Sequence, residues 1–208
     1  MLVSLNRFFE FVGWVDCRVK QFRVQHKAFR AEDKELTQEE YNRLLAAAAG
    51  RPRLALLLET LCCTGIRVSE VQYITVEAAE RGEAEISLKG KLRRIIIPAK
   101  LAKKLLKYAK KHKITSGPIF VTRGGKPMSR HQIWAEMKSL CKKAGVAASK
   151  VFPHNLRHLF ARAYYEIKKD IARLADVLGH SSMETTRIYL ISSGAEHRRQ
   201  LEQMRLIL

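Results

Sequence analysis

Apolar residues recur at helical spacing along most of this chain, and the breaks between the runs mark its elements. In residues 2–12, Leu2, Leu5, Phe8, Phe9 and Val12 fall on one face and predict a short helix. A helix that apolar needs a covering surface, so it reads as the last element of a preceding helical unit. Residues 13–35 carry many charges without periodicity and read as a linker. Thr37-Gln38-Glu39-Glu40 is a capping-box pattern that opens a helix through the alanine run to Ala49. Gly50 is expected to stop it, and Pro52 suits the first turn of the next helix. That helix, Arg53–Cys63, is apolar almost all round and is expected to be central. Thr64-Gly65 ends it, and a short helix follows from Ser69.

The period then changes. Glu83–Leu88 and Leu92–Ile97 read as strands joined through Lys89-Gly90-Lys91, a hairpin closed by Pro98. Ala99–His112 is a basic amphipathic helix, and Pro118–Val121 is expected to add a third strand before a Gly124-Gly125 turn. Ser129 with Gln132 caps a helix running to Ala144. Pro153 introduces a helix containing His154–Tyr165, Asp170–Leu178 forms the next, and Gly179 breaks it. Ser181 with Glu184 caps a short helix carrying Tyr189, and Ala195–Leu208 predicts a last helix. The fold class is therefore mostly α with a small antiparallel sheet (α+β), unlike an alternating strand–helix enzyme.

Composition narrows the function. The 208 residues hold 39 Lys+Arg against 20 Asp+Glu, a net charge of +19, spread along the whole chain rather than gathered in a tail. A folded surface of that charge attracts polyanions, nucleic acid first. No apolar run is long enough to span a bilayer, and the first residues lack a secretory pattern. Four cysteines, two of them the adjacent Cys62 and Cys63, make no disulfide framework and suit a reducing compartment. No glycine-rich phosphate loop, HExxH or CxxC occurs, so neither a metal nor a cofactor is expected.

Six positions carry candidate chemistry: Arg67 in Thr-Gly-Ile-Arg-Val-Ser-Glu, Lys89 in the hairpin, His154 and Arg157 in Pro-His-Asn-Leu-Arg-His, His180 in Leu-Gly-His-Ser-Ser, and Tyr189 in Thr-Thr-Arg-Ile-Tyr. A tyrosine can attack phosphorus and hold it covalently. Two guanidinium forks can clamp the non-bridging oxygens on which negative charge gathers. Singly, each residue has an ordinary explanation: a packed tyrosine, solvated arginines, structural histidines, a turn lysine.

As an ordered set, these motifs resemble the tyrosine recombinase (phage integrase) family, in its Xer-like, mobile-element branch. The resemblance covers residues from about 37 to 208. It implies the family's catalytic-domain fold and site-specific DNA recombination through a covalent 3′-phosphotyrosine. Arg67 and Arg157 would hold the phosphate, His180 would donate to it, and His154 would exchange the tyrosine proton. Lys89 would protonate the departing 5′ oxygen, and Tyr189 would be the nucleophile. Glu70 is read as a carboxylate that orients an arginine or histidine. Lys91, Arg93, Arg123, Lys126 and Arg130 are expected on the DNA backbone, while His158 is read as supporting its helix. The implied partners are double-stranded DNA and further copies of the chain, as a tetramer on DNA in the full-length family, with a monomer left open for this chain without DNA, in the cytoplasm with the nucleoid. Residues 1–35 would be the remnant of a truncated core-binding domain with its linker, 36–194 the catalytic domain, and 195–208 a helix that either folds onto its own domain or is exchanged between protomers. Three other functions remain open at this point: a catalytically idle DNA-binding fragment, a type IB topoisomerase-like relaxer, and a ribosome-associated basic protein.

Overall fold

Leu54, Leu57, Leu58 and Leu61 are completely or almost completely out of solvent on one helix, and the other elements gather round it. The computed structural model of the chain describes residues 2–19, 35–88, 91–180, 182–190 and Gln203. Helix α1 (Leu2–Phe11) is followed by a 3-10 turn at Val15–Cys17. Helix α2 (Gln38–Ala47) starts at the expected cap: Thr37 accepts from the Glu40 amide, and the Glu40 carboxylate accepts from the Thr37 amide. The central helix is α3 (Pro52–Thr64), with Pro52 in its first turn and Gly65 closing it in the left-handed conformation. A 3-10 turn (Val68–Tyr73) leads to α4 (Val76–Arg81) and then to strands β1 (Glu83–Leu88) and β2 (Lys91–Ile96). Helices α5 (Ala99–Lys111), α6 (Arg130–Lys138), α7 (Cys141–Ala144), α8 (Pro153–Lys168), α9 (Ile171–Leu178) and α10 (Met183–Leu190) complete the described chain.

The strands pair antiparallel with Glu83 opposite Ile96 and Leu88 opposite Lys91. Along β2 and the residue after it, Arg93, Ile95 and Ile97 alternate with the exposed Arg94 and Ile96, so the first three share the inward side. One large apolar core runs from Leu36 to Leu159. A smaller one, Ala161, Leu174, Leu178 and Tyr189, joins α8, α9 and α10. Arg162 on α8 bonds the Glu35 carboxylate and the Leu36 carbonyl, tying the start of the large core to α8.

Three expectations are corrected, and one element is added. Pro118–Val121 forms only isolated bridges, Thr75 to Pro118 and Val121 to Pro127, so the sheet stays two-stranded. The Ser129 cap is present, but its helix ends at Lys138 and restarts at Cys141, because the Ser139 hydroxyl turns back onto the Glu136 carbonyl. The stop after α2 is Ala48, whose amide reaches carbonyls of the last turn; Gly50 keeps an ordinary φ. Helix α4 was not expected; Thr75 caps it by accepting from the Ala78 amide. The hairpin tip (89–90), the cap at Ser181, linker residues 20–34 and the helix expected over 195–208, Gln203 excepted, lie outside the described residues. Among the described residues, no helix is long and apolar enough to cross a membrane.

Candidate active site

The end of α3 sets the first wall. Gly65 takes φ +61, which turns the chain so that Arg67 stands at the head of the 3-10 turn with Glu70 three residues on. A β-carbon on Gly65 would lie 2.3 Å from Phe160 Cδ1, so the glycine also lets α8 approach. Glu70 is 1% exposed and accepts from the Arg67 amide at 2.8 Å and from Arg67 Nη1 at 2.9 Å. The Arg67 side chain is otherwise half in solvent, and its Nη2 donates to the Gly179 carbonyl at 3.1 Å.

Helix α8 sets the second wall. Arg157 is 2% exposed. Its Nη1 donates to the Gly65 carbonyl, its Nη2 to the Leu178 carbonyl at 2.7 Å, and the same Nη2 lies 2.9 Å from His180 Nε2. Burial, and then the charge of Arg67, push its pKa down to about 10, while the Tyr189 phenol pulls it back up. It remains a cation at neutral pH. Arg157 Nε is buried and has no hydrogen-bond partner.

The third wall is the C-terminal turn of α9. Three consecutive carbonyls there accept from three arginines: Val177 from Arg93, Leu178 from Arg157 and Gly179 from Arg67. The last carbonyls of a helix lack helical partners and carry its negative end, so cations suit them. His180 follows at once, its amide bonded to the Ala175 carbonyl. Its Nε2 faces a guanidinium, which can only donate, so Nε2 accepts and Nδ1 carries the proton toward Thr186 Oγ1 at 2.9 Å. Burial first, then Arg157, Arg67, Arg93 and His154, push the His180 pKa down to about 4, and the ring is neutral at pH 7.

Helix α10 closes the cluster. Thr186 and Tyr189, three residues apart and hence on one face, are its buried residues. The Tyr189 ring sits 4.1 Å from that of His158, 5.3 Å from His154 and 5.2 Å from His180, with Arg157 Cζ 5.9 Å from its centroid. A phenol, three guanidiniums and three imidazoles thus meet over one helix end.

Of the residues singled out in the sequence, Arg67, His154, Arg157, His180 and Tyr189 come together, with Glu70 beneath Arg67. Lys89 lies outside the described residues, and Lys91 is described only as the first backbone position of β2. Arg123, Lys126 and Arg130 are exposed on the turn before α6 and at its first residue, outside this cluster. Arg93, expected on the DNA backbone, is instead turned inward: its side chain is 11% exposed, and Nη1 spans both Glu70 oxygens at 3.0 and 2.9 Å. His158 and Thr186 were missed as members of the site. His158 stands one turn beyond His154, and Thr186 one turn before Tyr189, spacings that carry the signal in the sequence.

The family and fold are shown by likeness to known proteins. Residues 34–196 match the model of the phage integrase family. The tyrosine recombinase XerA of Pyrococcus furiosus is 30% identical over 98% of this chain and 72% of its own length. The crystal structure of XerA recombinase superposes with a TM-score of 0.72 at 25% identity, covering 100% of this chain and 74% of that one. The XerH site-specific recombinase bound to palindromic difH substrate, at 20% identity, shares the fold with a TM-score of 0.71 over 99% of this chain and 65% of that one. The chain spans from 52% to 73% of the length of several curated tyrosine recombinases that it matches. The chain belongs to the phage integrase family, and its fold is that of the tyrosine recombinase catalytic domain.

Proposed function

We propose that the protein cuts and rejoins duplex DNA by transesterification through a 3′-phosphotyrosine on Tyr189, as a site-specific recombinase acting on a mobile element. The observation that carries this reading is the convergence of Arg67, Arg157, His180 and Tyr189 on the C-terminal turn of α9. The Tyr189 oxygen attacks phosphorus while the bond to the 5′ oxygen breaks. The phenolic proton passes to His154, whose ring is 5.3 Å from the phenol ring between centroids. Lys89 supplies the proton that the departing 5′ oxygen takes up. The two guanidiniums hold the non-bridging oxygens, where fixed donors stabilise developing charge most strongly. A 5′ hydroxyl then attacks the phosphotyrosine and restores the phosphodiester, so the number of phosphate ester bonds is unchanged and no nucleotide hydrolysis is called for.

The partner is double-stranded DNA, gripped largely through phosphates. The +19 charge supports this, as do the exposed Lys103, Lys107, Lys110 and Lys111 of α5 and the exposed Arg123, Lys126 and Arg130. The structure of a lambda integrase dimer bound to a core site supplies the precedent for more than one copy on DNA. The test is a nicked suicide duplex that traps the covalent intermediate. The wild-type chain should give a denaturant-resistant protein–DNA adduct, and Tyr189→Phe should give none. Arg67→Ala and Arg157→Ala should abolish the adduct while keeping most duplex binding. Absence of adduct from the wild-type chain, with duplex binding retained, would instead favour a DNA-binding module.

A further inference from the structure

The geometry points to Arg93 as a positioning residue for strand cleavage: it locks the β hairpin and Glu70 to the C-terminal turn of α9, and so fixes Arg67 and His180 relative to Tyr189. This rests on the recombinase reading above.

Arg93 and Arg94 are neighbours on β2 with opposite fates. Arg94 is 58% exposed and pairs with Glu83 and Glu85 on the outer side of the sheet. Arg93 points inward beside Ile95 and Ile97, and both ends of its fork are spent inside the protein. Nη1 holds the two Glu70 oxygens, and Nη2 donates to the Val177 carbonyl at 3.0 Å.

The contacts form a chain of custody for the site. Glu70 receives Arg93 and, on the same two oxygens, the Arg67 amide and Nη1. Arg93 therefore sets where the carboxylate sits, and the carboxylate sets where Arg67 sits. At its other end Arg93 caps Val177, the first of the three carbonyls that lead into His180. Gly179 shows how closely this is fitted. A β-carbon there would lie 2.4 Å from Arg93 Cδ and 2.6 Å from Nε, on a residue that already holds φ +63. The glycine of Leu-Gly-His makes room for an arginine on a strand 86 positions away in sequence.

Lysine is a poor substitute. One ammonium cannot span a carboxylate and a carbonyl on opposite sides, whereas a planar fork can.

The test uses the full chain and the suicide duplex in single-turnover mode, with Arg93→Met, Arg93→Lys and the exposed control Arg94→Met. Arg93→Met should lower the cleavage rate constant at saturating protein by about 10- to 100-fold, the range typical of groups that orient a reacting shell. Duplex affinity should stay within about twofold, the split that marks an interaction used in the transition state. Arg93→Lys should recover little of the rate, and Arg94→Met should match wild type. An Arg93→Met protein that cleaves at the wild-type rate overturns the proposal. So does one whose adduct yield falls while the rate constant holds, since that reports a smaller folded fraction and nothing more. If Arg93→Met does not fold, Arg93→Lys decides: a wild-type rate there overturns the proposal. A second readout needs no activity. The His180 ring resonance of the DNA-free protein should move in Arg93→Met and stay put in Arg94→Met; an unmoved resonance overturns the proposal. Should the wild-type chain form no adduct, the recombinase reading falls, and the resonance still judges Arg93 by itself.

Discussion

The imidazole of His158 lies nearly flat against the phenol of Tyr189, with ring centroids 4.1 Å apart and planes inclined by 29°. Both rings are buried, His158 at 5% exposure and Tyr189 at 6%. The stack holds the phenol at one height above α8, between His154 on its own helix and His180 beyond. Such a pair contributes about 0.5–1.5 kcal/mol beyond its buried area, or about 2- to 12-fold in an equilibrium. His158→Ala should slow adduct formation by that factor with duplex affinity retained. His158→Phe keeps a flat ring and should restore most of the rate. Equal rates in wild type and His158→Ala would show that the stack does not orient the nucleophile.

His180 gives a pH signature. In the unfolded chain its ring takes a proton near the ordinary value of about 6.5. In the folded chain burial and the three guanidiniums hold the proton off until about 4. Between those values the unfolded state binds more protons, so stability rises with pH through this window. His180 therefore contributes fully above about pH 6.5. Its contribution erodes as pH falls toward 4 and changes no further below that. The urea midpoint should drop from pH 7 to pH 5 by more in wild type than in His180→Asn. In the DNA-free protein the ring resonance should stay flat from pH 7 to 5.5; a midpoint near 6.5 would contradict its place under Arg157.

Gly65 is constrained twice, by φ +61 and by the Phe160 ring 2.3 Å from where a β-carbon would stand. Gly65→Ala should cost about 1–3 kcal/mol of stability, the range for overpacking a filled site. Because the Gly65 carbonyl accepts from Arg157, the rate of adduct formation should fall as well. Adding Phe160→Leu removes the clash but leaves the backbone strain, so the double variant should recover only part of the loss in a thermal melt.

Thr37 supplies the contrast. Its capping box holds the start of α2, and its loss should cost about 1 kcal/mol. No contact of α2 reaches the cluster around Tyr189 among those described. Thr37→Ala should therefore lower the melting temperature and leave the cleavage rate constant of the folded protein unchanged. A changed rate constant would reveal coupling through the core.

Much of this was legible in the chain, and the reasons differ by element. The central α3 was readable because its leucines leave no polar face, and Pro52 and Gly65 mark its ends. The hairpin was readable because Ala84 and Ile86 alternate with Glu83, Glu85 and Ser87, an isoleucine run follows at 95–97, and Lys89-Gly90 lies between. Helix α4 was not, because only six residues separate its cap from Gly82, too few for a helical period to declare itself. The expected third strand at Pro118–Val121 failed for the opposite reason: β-branched residues close together mimic a strand when they are merely packed under a turn. In the site, the motif residues were visible as types and spacings. Arg93 was misplaced because charge was weighed above position. Its alternation with Ile95 and Ile97 put it on the inner side of β2, and only the carboxylate of Glu70, distant in sequence, explains how a cation can live there.

Three guanidiniums gather at the end of α9, only two of them on the Glu70 carboxylate, and the His180 imidazole adds no charge of its own. At rest the cluster is thus electrically unfinished, with two positive charges in excess of its one negative partner. Any small tetrahedral oxyanion would relieve that mutual repulsion, whether it belongs to a nucleic acid strand or to the buffer. Sulfate and inorganic phosphate should accordingly raise the melting temperature and slow cleavage as competitors, so the choice of salt anion, beyond ionic strength alone, becomes a variable in every assay of this protein.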